Sequence, residues 1–282
     1  YNSDVARQLG LYIPNEGMTY KDLLHCVRAV HEYNKAHGTD IAAFYESADW
    51  CTLYILFQRL FDSQIKDFPA AKAELLTEEK KQALLRAFEA FEELGTYDPL
   101  IDSHATNEWS QTWGTILDDK ALFLVNGTWM YSAWGSLAEP RVKKMVPVEL
   151  PVFNPVDFYL GSYKSTWAVM KDSPNKDLAV KLLMMLAEPK SGENWVRATK
   201  SPTGINGNID ASNLGDDQYE KFQYMIDRKY GGKLYYPEDT GYMLGAEHAH
   251  LRPDIEVNVR RLLTGTMTAR EAYNDIMSKL ER

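Results

Sequence analysis

The sequence lacks the features of membrane-spanning and nucleic-acid-binding proteins. No run approaches the roughly 18 uncharged apolar residues that a membrane-spanning helix needs, and the longest apolar patches are only as long as a strand. Positive charge is also scarce, because 31 Lys and Arg stand against 40 Asp and Glu and leave a net charge of −9. A nucleic-acid-binding face needs an excess of basic residues. We therefore expect no nucleic-acid partner.

The motifs of common cofactor-dependent and hydrolytic enzymes are missing as well. The sequence contains no GxGxxG or GxxxxGK[ST] phosphate loop, no GxSxG nucleophile elbow and no HExxH zinc motif. Its one HxH pair is His248 and His250, and the acidic neighbours Glu247, Asp254 and Glu256 offer oxygen ligands. Such a pair belongs more often to a polar loop before a helix than to a metal site. We expect no metal and no cofactor.

Cysteine is scarce and does not identify the cellular compartment. Cys26 and Cys51 are the two cysteines, and they fall in predicted neighbouring helices without a CxxC or Cys/His spacing. Two buried free thiols are favoured, with one disulfide as the alternative. Residue 1 is Tyr, and no basic and apolar leader segment precedes it. We therefore expect a processed or truncated chain.

The sequence does contain the ordinary alternation of helices and strands. Its 282 residues suffice for about two lobes, and the periodicity predicts an α/β layered fold with few strands among many helices. Ser3, Thr19 and Thr77 are predicted N-caps, and Thr268 with Glu271 forms a predicted capping box. Predicted helices cover 3–9, 20–36, 49–61, 77–94, 107–117, 130–137, 175–187, 219–230, 255–263 and 269–280, and predicted strands cover 41–44, 121–126, 145–150 and 165–170.

Aromatic residues are more abundant than core packing requires, at 12% of the chain with 7 Trp and 17 Tyr. Trp129 follows the predicted strand at 121–126, and Trp50 follows the one at 41–44. Open α/β sheets bind ligands at the carboxyl ends of their strands, so both indoles are candidate platforms for a flat ligand. The alternative for each is a lid over the core. Trp109 and Trp167 stay undecided, and Trp113, Trp134 and Trp195 are assigned to packing.

Four separated stretches are similar, in the same order, to signature segments of one protein family. Residues 120–129 match a Lys-x-Ala-Met-x-x-x-Gly-x-Trp pattern, with Leu122 or Phe123 in place of Met. The chain thereby resembles the extracytoplasmic solute-binding proteins of ATP-driven importers, especially the carbohydrate-binding branch that includes maltose-binding protein. The other stretches are 1–4 with Pro14 and 19–23, then 171–179, and finally 263–272.

The resemblance implies a two-lobed, type II periplasmic-binding-protein fold. Residues 1–206 and 238–282 are then the C-terminal ligand-binding lobe, an α/β lobe with a mixed sheet flanked by helices. Residues 207–237 are the hinge and part of an incomplete N-terminal lobe, with hinge strands near 207–209 and 234–237. Family members carry a lobe-sized segment before the Tyr-Asn helix that starts this chain. We expect the surfaces that would face that lobe to be exposed and apolar.

The resemblance also implies a set of ligand-binding residues. Trp129 matches the stacking tryptophan of the family, and Tyr131 matches the second aromatic of the same loop. Trp50 lies in a loop that supplies a further aromatic, where Glu46 and Asp49 are candidate acceptors from sugar hydroxyls. The remaining candidates are Tyr45 in that loop, Trp109, Ser162 and Tyr163 at the cleft-lining position, and Tyr242, His248 and His250 in a stretch where the maltose-binding branch has another tryptophan.

The implied function is reversible carbohydrate binding outside the cytoplasm, without catalysis. The protein is then the solute-binding component of an ABC transporter, which delivers its ligand to the membrane permease subunits by closing two lobes around it. A lipid anchor at the missing N-terminus is an expected tether. Two other classes stay open, namely a carbohydrate-active hydrolase, which needs only two carboxylates beside an aromatic cleft, and a pure interaction module.

Overall fold

The computed structural model describes the greater part of the chain, and all structural statements below refer to that part. The described residues are 1–66, 76–109, 116–127, 129–134, 139–160, 167–199, 221, 225, 229–230, 234–235, 244 and 246–280.

Helices dominate the described elements. The helices are α1 (Ser3–Gln8), α2 (Tyr20–His37), α3 (Leu53–Asp62), α4 (Glu78–Gly95), α5 (Trp129–Trp134), α6 (Glu139–Lys143), α7 (Lys176–Leu186), α8 (Pro189–Thr199), α9 (Arg252–Leu263) and α10 (Ala269–Leu280). The strands are β1 (Ala42–Tyr45), β2 (Ala121–Leu124), β3 (Tyr159–Leu160) and β4 (Leu234–Tyr235), and short 3-10 helices cover Asp102–Ala105, Ile116–Asp118 and Ala246–Leu251.

Local capping signals explain where several helices begin and end. Thr19 caps α2 in a reciprocal capping box with Asp22, and Gly38 ends the helix in the left-handed conformation with φ of 66°. Thr77 caps α4 as predicted. The prediction for α1 was wrong by one residue, because Asn2 rather than Ser3 is the cap and its side chain accepts from the N–H groups of residues 4 and 5.

The described strands form two parallel pairs. In the first, β1 pairs with β2, with Ala42 opposite Ala121 and Tyr45 opposite Leu124. On the other edge of β1, Leu100 forms a parallel bridge with Phe44. Three neighbouring extended segments therefore point the same way. In the second pairing, β3 lies parallel to β4.

The main hydrophobic core lies around α4, which contacts α3, α9 and α10. The apolar face of α4 is fully buried at Leu84, Phe88 and Phe91, which follows from its helical repeat of apolar residues. A second, smaller cluster lies beneath the carboxyl ends of β1 and β2 and includes Tyr45, Met130 and Trp134. The prediction that Trp134 serves packing is confirmed by its burial.

Several predicted elements were wrong in the described residues. Residues 107–108 are not helical, although a helix was predicted from 107. Residues 145–150 form no strand, because Met145 makes only an isolated bridge to Asn2 and the following backbone pairs singly with loop residues. Residues 167–170 are also irregular. Apolar alternation predicted strands there, but within the described part of the chain no strand pairs with either segment over several residues.

The segment 167–199 packs differently from the rest of the described chain. None of its residues belongs to either hydrophobic cluster, and the apolar side chains of α7, such as Leu178, Leu182 and Met185, are exposed. Trp167 is 66% exposed, and Trp195 is 47% exposed. The prediction that Trp195 is a core residue was therefore wrong, since helical periodicity does not say whether a covering surface is present.

The remaining predictions on local chemistry have simple outcomes. Cys26 and Cys51 are both buried and free, which confirms the predicted thiols. Within the described residues, none of the helices combines the length and apolarity that crossing a membrane requires. The predicted hinge at 207–209 lies outside the described residues, whereas 234–235 form β4.

Candidate functional site

Three loops meet at one edge of the small parallel sheet. The first follows β1 and carries Trp50, the second follows β2 and carries Trp129, and the third follows the bridge at Leu100 and carries Trp109. Because the three extended segments run parallel, their carboxyl ends lie at the same edge, where open α/β sheets bind ligands. Residues far apart in sequence are therefore brought to one place.

The three tryptophans form a nearly parallel stack. The ring centroids of Trp50 and Trp109 are 5.6 Å apart with an interplanar angle of 20°. Trp50 also lies 6.1 Å from Trp129 with an angle of 27°, so it is the ring that contacts both others. These distances are those of offset aromatic stacking. Trp129 is 39% exposed, so the stack ends in an indole that solvent can reach.

Asp49 joins two of the loops. Its Oδ1 accepts a hydrogen bond of 2.7 Å from the backbone N–H of Trp109, and the neighbouring Ala48 N–H donates to the carbonyl of Asn107 at 2.8 Å. Asp49 is exposed, and it was predicted to accept from a sugar hydroxyl. The structure gives it a backbone partner that fixes Trp109 beside Trp50.

Glu46 precedes the Trp50 loop and is 1% exposed. Its carboxylate accepts from the N–H groups of Ser47, Thr52 and Leu53 at 2.9 to 3.1 Å. Burial raises the pKa of Glu46, while these hydrogen bonds and the charge of Arg260 oppose the rise. The predicted role of Glu46 as a direct acceptor from sugar hydroxyls does not match this position, because its oxygens face the protein backbone.

A family model described as "bacterial extracellular solute-binding protein" matches residues 1–220 of the chain. This match covers more than half of the sequence. The chain belongs to the bacterial extracellular solute-binding protein family. The predicted family is thereby confirmed, and a member of an extracellular family acts outside the cytoplasm.

Relatives of this solute-binding protein include sugar-binding proteins. The chain is 24% identical over 266 residues to the melibiose/raffinose/stachyose-binding protein MelE of Bacillus subtilis, with 90% of this chain and 59% of MelE covered. A sugar transporter of Bacillus licheniformis, solved with stachyose, aligns with a TM-score of 0.60 at 19% identity over 99% of this chain and 69% of that one. A Streptococcus pneumoniae solute-binding protein, solved with the blood group A-trisaccharide, gives a TM-score of 0.64 at 13% identity over 100% and 68%.

These similarities establish the fold and the extent of the match. The predicted α/β periplasmic-binding-protein fold of type II is confirmed by the solved structures. The chain of this solute-binding protein spans 59% of the length of MelE.

The other predicted site residues of this solute-binding protein have partners elsewhere or lie outside the described residues. Tyr45 is fully buried in the second cluster, because it is the last residue of β1 and points into the packed face. Tyr131 is half-buried and packs edge-to-face on Trp134 at 5.7 Å. His248 lies near Glu247 at 3.3 Å and beside His250. Ser162, Tyr163 and Tyr242 lie outside the described residues, which contain no group of three potential metal ligands.

Two residues of the site were missed by sequence reasoning. Arg260 on α9 donates from Nη2 to the carbonyl of Ser47 at 2.6 Å, and it is more than 200 positions distant in sequence. Gly127 was noted only as part of a motif. A Cβ on Gly127 would lie 2.0 Å from the indole of Trp129, so that indole can lie against the backbone only because glycine has no side chain.

Gly127→Ala is expected to push the Trp129 indole out of the stack. The added methyl overlaps the ring, and the exposed indole can rotate toward solvent more easily than the backbone can shift. We expect the tryptophan fluorescence to become more accessible to acrylamide quenching, with the far-UV circular dichroism of the helices retained. Gly265→Ala is the control for destabilisation alone, because its φ of 65° strains any residue with a side chain, while no atom lies within 4 Å of its added Cβ. Unchanged quenching in Gly127→Ala would contradict the described position of Trp129.

Proposed function

We propose that this solute-binding protein binds carbohydrate, and that the three-tryptophan stack is its sugar-contacting surface. The observation that carries the proposal is the near-parallel arrangement of Trp109, Trp50 and Trp129 at the carboxyl edge of the sheet. The apolar face of a sugar ring is flat and stacks on an indole, while its hydroxyls take hydrogen bonds at the rim.

The relatives support the same ligand class. MelE is named for binding melibiose, raffinose and stachyose, and one of the solved structures contains stachyose. Melibiose, raffinose and stachyose are galactose-containing oligosaccharides of two, three and four rings. Because the indoles face one another, the exposed indole of Trp129 is the one that offers a stacking face to a sugar ring.

Binding without hydrolysis is favoured over a carbohydrate-active hydrolase. A glycosidase needs two carboxylates that flank the scissile bond. Glu46 and Asp49 are the two carboxylates that were predicted to accept from sugar hydroxyls. Glu46 is buried with its oxygens on backbone N–H groups, and Asp49 accepts from the N–H of Trp109. Both have structural partners, so we propose that the protein releases its ligand unchanged.

We further propose that the complete protein delivers this ligand to the permease subunits of an ABC transporter and is tethered by a lipid anchor outside the cytoplasm. The described residues of 1–158 and 244–280 supply both hydrophobic clusters, and we assign them to the lobe that carries the tryptophans. Residues 167–199 contribute to neither cluster and expose apolar side chains. We assign them to the opposing lobe. The first segment of the ligand-binding lobe proposed here therefore ends before residue 167, whereas the predicted one extended to residue 206.

Titration calorimetry with raffinose and stachyose tests the proposal. We expect binding of both sugars, quenching of tryptophan fluorescence, and no binding of sorbitol, an open-chain polyol that has hydroxyls but no flat ring face. Release of reducing ends or free galactose during long incubation would instead identify a hydrolase. Absence of binding to a panel of oligosaccharides would reject the carbohydrate ligand.

A further inference from the structure

The loop between β1 and α3 is closed by a single buried side chain. Oε1 of Glu46 accepts from the N–H of Ser47 at 2.9 Å and from that of Thr52 at 3.1 Å, and Oε2 accepts from the N–H of Leu53 at 2.9 Å. The donors lie at the beginning and at the end of the loop. One carboxylate therefore ties the two ends of the loop together.

The same carboxylate replaces the missing cap of α3. Thr52 occupies the N-cap position but makes no side-chain capping bond, and its hydroxyl donates to Glu46 Oε1 at 3.2 Å. The first N–H groups of a helix need acceptors, and negative charge at this end is favoured by the helix dipole. Glu46 supplies both from six positions upstream, which links the helix to the loop.

Trp50 lies inside the closed loop, and its backbone is held by the residues that Glu46 binds. The hydroxyl of Ser47 and the N–H of Thr52 each donate to the carbonyl of Trp50 at 3.0 Å. Arg260 holds the carbonyl of Ser47 from α9. The position of the middle indole thus depends on bonds that converge on one carboxylate.

We propose that Glu46 is a positioning residue that sets the orientation of Trp50, and through it the tryptophan stack, without contacting the ligand. The proposal deepens the proposed function and rests on it for the effect on sugar binding. The effect on the stack itself is independent of any ligand.

Glu46→Gln tests the proposal, because glutamine has the same size but replaces one acceptor oxygen with an NH2 group. Its one carbonyl oxygen can still accept from Ser47 and Thr52 in place of Oε1, but an NH2 group in place of Oε2 cannot accept from the N–H of Leu53 at the start of α3. The ligand-free readout is the far-UV circular dichroism couplet that stacked indoles produce, with Trp50→Phe defining its complete loss. We expect Glu46→Gln to lose about half of the couplet or more, and the affinity for raffinose to fall about tenfold.

Asp62→Asn is the matched control, since it makes the same carboxyl-to-amide change at a fully buried residue of α3 without changing its size. The charged neighbours of Asp62 are Arg59 and Lys80, not residues of the loop. We expect Asp62→Asn to keep the couplet and the affinity. A loss of the couplet that is equal in both variants would overturn the proposal, because it would show a general effect of destabilisation.

A full couplet in folded Glu46→Gln would also overturn the proposal. If Glu46→Gln does not fold, Ser47→Ala takes its place and removes only the hydroxyl that donates to the Trp50 carbonyl. A reduced couplet in Ser47→Ala then supports the proposal, and an unchanged one rejects it. If the unaltered protein binds no sugar, the proposed function fails, while the couplet still decides the role of Glu46.

Discussion

Trp50→Ala is expected to weaken raffinose binding about 100-fold. Trp50 stacks on both Trp109 and Trp129, so its removal leaves the exposed indole of Trp129 without the ring that holds it in place for the sugar. Stacking on an aromatic side chain is worth about 1–3 kcal/mol, and about 2.7 kcal/mol corresponds to 100-fold in affinity. Isothermal titration calorimetry measures the change.

Trp167→Ala is the control for that loss. Trp167 is more exposed than Trp129 and belongs to a segment that joins neither hydrophobic cluster. We expect the Trp167 variant to bind as tightly as the unaltered protein. Equal affinities for the Trp50 variant and the control would show that the stack is not part of the sugar-binding surface. A thermal melt of each variant establishes that the protein is folded when binding is measured.

Glu149→Gln is expected to lower the free energy of unfolding by about 2 kcal/mol at neutral pH. Glu149 is buried, and its carboxylate accepts from the N–H of Gly17 at 2.8 Å, from Lys229 Nζ at 2.7 Å and from the hydroxyl of Tyr230. Glutamine keeps the size but loses the charge, so Lys229 is left without its counter-charge. Urea denaturation followed by circular dichroism measures the difference.

The pH dependence of this effect has a definite sign. Burial by itself would raise the pKa of Glu149, but Lys229, Tyr230 and the N–H of Gly17 lower it, and the net shift is downward from 4.5. A carboxylate with a lowered pKa contributes stability that is present above its unfolded pKa and is lost as the pH falls through the folded pKa. The two proteins should therefore differ fully at neutral pH and converge below the folded pKa.

Glu193→Gln is the matched control for Glu149. Glu193 pairs with Lys190 on the surface of α8 at 3.1 Å, and exposed pairs contribute about 0–1 kcal/mol. We expect a change within about 0.5 kcal/mol. If Glu149→Gln costs no more than this control at neutral pH, the ion pair of Glu149 with Lys229 does not hold the 229–230 segment in place.

The parts of the fold that local chemistry determines could be predicted from the sequence. Thr19 and Gly38 bound α2 because a side-chain oxygen and a left-handed glycine satisfy the free ends of the helix. The positions of Trp50 and Trp129 after strands could also be predicted, since apolar runs followed by polar loops mark the carboxyl ends of buried strands. That they stack on each other, and on Trp109, could not be predicted, because sequence does not give the order of the strands.

The parts that depend on distant partners could not be predicted. Glu46 has the sequence context of a ligand-binding carboxylate, and only the three-dimensional position of α3 shows that it caps that helix. Arg260 reaches the site from a helix near the end of the chain. The apolar face of α7 predicts burial, yet its side chains are exposed, because periodicity describes a helix and not the surface that covers it.

The parallel pairing of β1 with β2 also constrains when the site can form during folding. Ala42 pairs with Ala121, a separation of 121 − 42 = 79 residues. The chain therefore loses conformational entropy in closing this loop before the hydrogen bonds between the strands stabilise it. The helices between them can form from local contacts within microseconds. The indoles therefore come together only after the non-local sheet has closed, and a refolding chain acquires its tryptophan stack among its last events.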